Sequence, residues 1–363
     1  MLITRVSADL LRVPLPRPRA LPRADDPEPG TPPANHLAVL IVRLDTDTGP
    51  SGLGFAYAHA APRALVALVA DELTPRLVGA DPQSHEGLWP DRLAGGLANA
   101  ALAAADLAVW DLKAKAAGLP LWRLLGGARD AAPAYAAETA WPWMSGEQVL
   151  SAYEPLKAKG VAGLRVAVGG RSPEADARRL EHVRNHVGLD DWLGVTAGGA
   201  YDTGTALAMG RFLEEELDAD WFEDPVPTDD RAGLLRLADK LELPVAAGGQ
   251  FDRLSDFTSW VAEAPAGVVR PDVVRLGGLT PALRAIAVAM AFHRPVVPVL
   301  LPEVGVHLAC GLAGVRAVDY VGWLEPLWRT PPALADGKLA PPPGPGLGLE
   351  LNPDAMARFR VGD

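Results

Sequence analysis

The chain of 363 residues has a single cysteine, Cys310, so it forms no intrachain disulfide and contains no CxxC or Cys/His zinc-finger pattern. A lone thiol fits a reducing compartment. No 18 apolar residues run unbroken. Arg5 and Asp9 interrupt the first apolar stretch, which therefore lacks the core of a secretion signal. The expectation is a soluble, cytoplasmic protein with no membrane partner. Cations are also in deficit: 34 Lys plus Arg against 45 Asp plus Glu give a net charge of −11, which repels polyphosphates and argues against nucleic acid as a partner. No G-x-G-x-x-G or Walker sequence opens a helix after a strand, so nucleotide cofactors are not indicated.

What is present is an ordinary globular balance, 49% hydrophobic and 22% charged, in a length suited to one large or two moderate domains. Residues 3–6 and 38–44 alternate as strands do, the second run ending in turn-rich residues 45–54. Between them, residues 14–35 hold eight prolines together with Arg17, Arg19 and Arg23. That segment is too long for a simple hairpin turn and reads as a lid or a mobile connector. From residue 62 the period becomes helical, and alanine-rich residues 97–117, stopped by Gly118 and Pro120, form the strongest helix.

Beyond Gly127 the pattern changes to short apolar runs at residues 133–137, 163–168, 192–197, 219–224, 243–248, 267–272, 294–300 and 319–324. Stretches such as 172–187, 203–216, 231–241 and 281–292 separate them and are long enough to cross back over a parallel sheet. Strand ends at 196, 223, 249, 272 and 299 recur about every 26 residues, the size of one βα unit. Eight such units predict a closed barrel, with function at the C-terminal strand ends.

At those ends stand Glu223-Asp224 and Asp272. These carboxylates either hold a divalent cation, exchange protons with a substrate, or pair with arginines such as Arg165, Arg270 or Arg275. The other ends carry Arg165-Val166-Ala167, Thr196-Ala197-Gly198, Gly248-Gly249-Gln250 and Pro298-Val299-Leu300, none of which offers an obvious base. Glu325 follows the eighth run as a site acid or a solvated one. His182 and His186 share a helical face but lack a metalloprotease glutamate and read as solvated. His307 reads as a core histidine, and Lys157 and Lys159 as partners of a helix C-terminus.

Four motifs stand out together: the helix from Ala103 to Lys113 followed by Gly118-Leu119-Pro120 and Leu124-Leu125-Gly126-Gly127; Trp221-Phe222-Glu223-Asp224-Pro225; Arg270-Pro271-Asp272 with Gly277-Gly278-Leu279-Thr280; and the tail from Pro345 to Leu351. With them the chain resembles the enolase superfamily, in its mandelate racemase and muconate lactonizing branch. The resemblance implies an α/β fold, a modified (β/α)8 TIM barrel (residues 128–325) under an α+β capping domain (residues 1–127, completed by the tail 326–363). Residues 14–35 then correspond to the specificity-setting lid, whose Arg17, Arg19 and Arg23 would join Arg165 in binding a small carboxylate. It further implies a homo-oligomer, and removal of a proton next to a substrate carboxylate with magnesium stabilising the enediolate.

Carried over position by position, however, the implied metal ligands fall on Thr196, Glu223 and Gly249, with a metal-site asparagine at Gly198. Only Glu223 is a ligand. The Lys-x-Lys bases fall on Arg165 and Ala167, and the Asp-His dyad on Asp272 and Val299. Glu325 stands for the acid near the eighth strand. Magnesium sheds water reluctantly and should bind one carboxylate weakly, so the sequence predicts no metal cofactor, with magnesium the cofactor if displaced ligands restore the site. Gln250, Asp252 and Glu303 are the nearby residues that a shifted register would recruit. Two functions follow: a carboxylate-binding protein without metal-assisted proton abstraction, or an active racemase, epimerase, dehydratase or cycloisomerase with displaced groups. A non-catalytic structural subunit is the third.

Overall fold

The computed structural model describes residues 1–19, 34–58, 61–89, 95–137, 140–264 and 267–362. Alternating apolar residues at the start of the chain build an antiparallel sheet of β1 (Ile3–Arg19), β2 (Ala34–Thr46) and β3 (Ser51–Ala58), in that spatial order. Two expectations are corrected here. The segment 14–35 is strand at both ends, with Pro14 opposite His36 and Arg19 opposite Ala34. An edge strand tolerates Pro14, Pro16 and Pro18 because outward positions have no ladder bond to lose. The third strand also begins at Ser51, inside residues that read as a turn. Arg17 and Arg19 fall on the end of β1, and Arg23 lies outside the described residues.

The helix Ala98–Ala116 lies on this sheet, and its buried alanines let the two backbones approach closely. Gly54 is required there: a Cβ on it would stand 1.9 Å from the Ala104 carbonyl oxygen. We expect Gly54→Ala to destabilise the protein by about 1–3 kcal/mol or more, since neither backbone can yield without moving the helix. Urea unfolding checks this, and an unchanged midpoint would refute it.

The second layer is a ring of parallel strands: β4 (Ala132–Ala136), β5 (Gly163–Ala167), β6 (Trp192–Thr196), β7 (Trp221–Glu223), β8 (Val245–Ala247) and β9 (Gly267–Val269), paired in sequence order. The expected seventh strand, residues 294–300, is reduced to bridges from Val296 to Val269 and Val315. Pro295 and Pro298 remove two donors, and Leu300 and Leu301 turn into left-handed backbone at φ 53° and 39°. The eighth strand, β10 (Val318–Tyr320), pairs with β4 and closes the ring. It starts one residue before the expected run and is only three residues long; Glu325 sits in the 3₁₀ turn Gly322–Leu327 beyond it.

The tail then returns to the first sheet. β11 (Ala333–Ala335) and β12 (Lys338–Ala340) form a hairpin against β4. Leu11 bridges Arg360, and the Val361 N–H donates to the Leu10 carbonyl at 2.8 Å. Buried Asp111 is the clip: it accepts from the N–H of Leu53 at 2.8 Å and of Leu347 at 2.7 Å, and from Lys115 at 2.6 Å. His307 Nε2 donates to the Leu347 carbonyl at 3.1 Å, so the same tail residue is held by cap and barrel alike.

Candidate active site

Side chains from five barrel strands or their ends converge at the C-terminal side of the ring. Arg165 projects from β5, and its Nη1 donates to Glu223 Oε2 at 3.1 Å and Oε1 at 3.2 Å. Arg270, just past β9 and fully buried, places Nε 3.2 Å from Glu223 Oε1 and donates from Nη2 to both oxygens of Asp319 at 3.1 Å. Its Nη1 donates to the Tyr135 hydroxyl of β4, and its guanidinium lies 4.9 Å from the Trp221 ring centroid. The Leu300 N–H donates to Asp319 Oδ2 at 3.2 Å, tying the strained turn to the cluster.

Charge follows from this packing. Burial disfavours the Glu223 carboxylate, yet Arg270 and Arg165 outweigh it and hold the pKa below the ordinary value. Burial, with Glu223 next to it, pushes Asp224 up to about 7. Burial also drives Asp319 well upward. The centre is therefore two guanidiniums, Arg165 and Arg270, shared between the carboxyl groups of Glu223 and Asp319, with Asp224 beside them.

The described residues singled out in the sequence each have a place. Gly249 faces the cluster, since a Cβ there would lie 3.3 Å from Asp224 Oδ2 and from Val299 Cγ2, and 3.6 Å from Glu223 Oε1. Thr196 pairs with Glu223 across β6 and β7, and Gly198 opens onto empty space. Ala167 ends β5. Asp272 is occupied differently from a dyad acid: it accepts from the Tyr57 hydroxyl of β3 and from the N–H groups of Val274 at 2.8 Å and Arg275 at 3.3 Å, and so joins cap to barrel. Glu325 accepts from the Tyr320 hydroxyl at 2.5 Å.

The residues that a shifted register would recruit are engaged elsewhere. Gln250 bonds Thr228, Asp252 accepts from the Gly96 N–H at 2.9 Å, and Glu303 accepts from Trp328 Nε1 at 3.1 Å. His182 and His186 face Glu147 and Glu154 on the neighbouring helix, and Lys157 bonds Asp191 at 2.8 Å. Asp319 and Tyr135 are the members that sequence reading missed, while Arg270 figures there only as a pairing partner of the strand-end carboxylates, the part it takes with Glu223. Asp319 carried a signal, a charged residue at the start of an otherwise apolar barrel strand, but its partner was not assignable from spacing.

The comparisons with known proteins place this geometry. Residues 33–126 match the N-terminal domain of mandelate racemase / muconate lactonizing enzyme, and residues 148–355 match the enolase C-terminal domain-like family. The chain belongs to the mandelate racemase and muconate lactonizing branch of the enolase superfamily. The α/β architecture of a capping domain on a modified barrel is thus that of the family. L-talarate/galactarate dehydratase of Salmonella typhimurium is 31% identical over 330 residues, covering 89% of this chain and 83% of that protein. 3,6-Anhydro-alpha-L-galactonate cycloisomerase of Streptomyces coelicolor is 31% identical over 375 residues, 99% of this chain and 100% of that one. The solved L-talarate dehydratase of a Polaromonas species, complexed with Mg and L-glucarate, superposes with a TM-score of 0.90 at 30% identity, covering 100% of this chain and 99% of that one.

Magnesium is therefore found with small carboxylates in close relatives of this branch. The donors of this chain do not fit it. Both Glu223 oxygens face Arg165, Thr196 and Gly249 bring no carboxylate, and among the described residues no three His, Cys, Asp or Glu side chains are grouped to hold an ion. Among the described residues, no helix is long and apolar enough to cross a membrane.

Proposed function

We propose that this protein is a carboxylate-processing isomerase or lyase of its family, acting on a small hydroxy acid or sugar acid at the barrel mouth. Its relatives, dehydratases and a cycloisomerase matched over most of their length, support retained chemistry over a purely structural role. The observation that carries the reading is the guanidinium pair around Glu223. Arg165 would meet the substrate carboxylate and oppose the negative charge that grows on its oxygens as the α-proton leaves. Asp224, facing the same space beside Gly249, is the carboxyl placed to exchange that proton. Glu325 and Asp272 would act from the rim, Asp272 by holding the cap in place through Tyr57. The lid arginines Arg17, Arg19 and Arg23 belong to the proposal as further carboxylate contacts.

A second reading is a binding protein without turnover. It is favoured by Ala167 and Val299, which stand where the resemblance implies bases and have no side-chain lone pair to accept a proton. One experiment separates the two: proton NMR of galactarate and related sugar acids with the protein in D2O. Exchange of the α-proton, lost about 10²-fold or more in Arg165→Met, is expected from the first reading. Saturable binding with no exchange for any acid tried would leave only the second.

A further inference from the structure

We infer that the Arg165–Arg270 pair is the resident cation of this site, taking the carboxylate that a divalent ion would need, so that carboxylate ligands bind here without a metal. This rests on the carboxylate-binding reading above. Glu223 has Arg165 Nη1 at 3.1 and 3.2 Å from its two oxygens and Arg270 Nε at 3.2 Å from one of them. A magnesium ion would have to displace Arg165 from both oxygens or bind beside two permanent positive charges, in a place shielded from water. Arg270 cannot swing away, because Asp319 and Tyr135 hold its other nitrogens and Trp221 lies against its plane. Arg165 is also drawn toward Asp319, whose Oδ2 is 3.8 Å from its Nη1. The residues present are mutually consistent: Thr196 and Gly249 bring no negative charge to a divalent ion beside Glu223, and Arg165 supplies a positive charge in its place.

The same geometry is reversible by design. A Gly249→Glu side chain would start 3.6 Å from Glu223 Oε1, and Thr196→Asp would start from the residue paired with Glu223. Combined with Arg165→Met, these changes put three carboxylates around a space that the Arg165 guanidinium has left, bordered on one side by Arg270 Nε at 3.2 Å from Glu223 Oε1.

The test is a Mn2+ titration of the full chain, followed by electron paramagnetic resonance, in parallel with calorimetry of galactarate in EDTA. The parent is expected to show no stoichiometric Mn2+ site below millimolar concentration. The Thr196→Asp, Gly249→Glu, Arg165→Met variant is expected to gain a site at least about tenfold tighter. Galactarate binding is expected to be the same in EDTA and in Mg2+. A tight Mn2+ site in the parent that disappears in Glu223→Gln overturns the inference, and this arm stands even if the triple variant does not fold. Galactarate binding that needs Mg2+ also overturns it, while leaving the proposed function intact. If neither galactarate nor the other sugar acids bind under either condition, the carboxylate reading fails, and the Mn2+ titration still decides what occupies Glu223.

Discussion

Replacing Arg270 by methionine is expected to lower stability by about 3–5 kcal/mol. Arg270 is wholly buried and serves Asp319, Glu223 and Tyr135 at once. Methionine fills much of the volume but leaves buried Asp319 without the guanidinium that meets both its oxygens, and Glu223 with Arg165 alone, so the desolvation of Asp319 is no longer offset. The diagnostic is a double-mutant cycle. Arg270→Met with Asp319→Asn should be markedly less destabilised than the sum of the two single variants, because the second change removes the group the first one orphans. Denaturant unfolding of the four proteins measures it. Additive losses, or a loss under about 1 kcal/mol for Arg270→Met, would show that the cluster is not a cooperative unit.

The second large effect is with pH. Burial lowers the His307 pKa from 6.5 to about 4, and its Nδ1 has no hydrogen-bond partner among the described residues while Nε2 donates to Leu347. The folded state therefore binds fewer protons than the unfolded chain between those values. The stabilising contribution is complete above pH 6.5 and is lost as the pH falls toward 4, by about 3 kcal/mol over the window. Asp106 works in the opposite sense: burial pushes it up to about 6, so the folded state holds an extra proton as the pH falls. Comparison with His307→Gln isolates the histidine, since Asp106 is common to both proteins. The parent should lose about 3 kcal/mol relative to the variant between pH 7 and about 4. Parallel stability curves would mean that the imidazole is reached by water in the folded state.

The rhythm of the barrel was legible because each parallel strand, buried on both faces, is a short apolar run, and each crossover needs a helix of similar length. The seventh strand was legible as hydrophobicity but not as geometry: its prolines limit the ladder to Val296. The cap was legible in part. Prolines suggested a loop where an edge strand accepts them, and the start of β3 was hidden by the glycines that its helix partner requires. At the site, Glu223, Arg165 and the substitutions at 196, 198 and 249 were readable position by position. The Arg270–Asp319 contact was not, because it joins residues 49 apart whose meeting depends on ring closure. Nor was the role of Asp272, which looks like site chemistry in sequence and is spent on Tyr57 of the cap.

The path of the tail carries a consequence for biogenesis. The first sheet and the helix on it emerge from the ribosome before any barrel strand, yet Arg360, which bridges Leu11, and Leu347, which donates to Asp111, emerge after all of them. During synthesis Asp111 of the helix and the outer edge of β1 lack their final partners while the barrel assembles. A nascent chain arrested before residue 345 should then present an assembled barrel with an unsettled, protease-sensitive amino-terminal region.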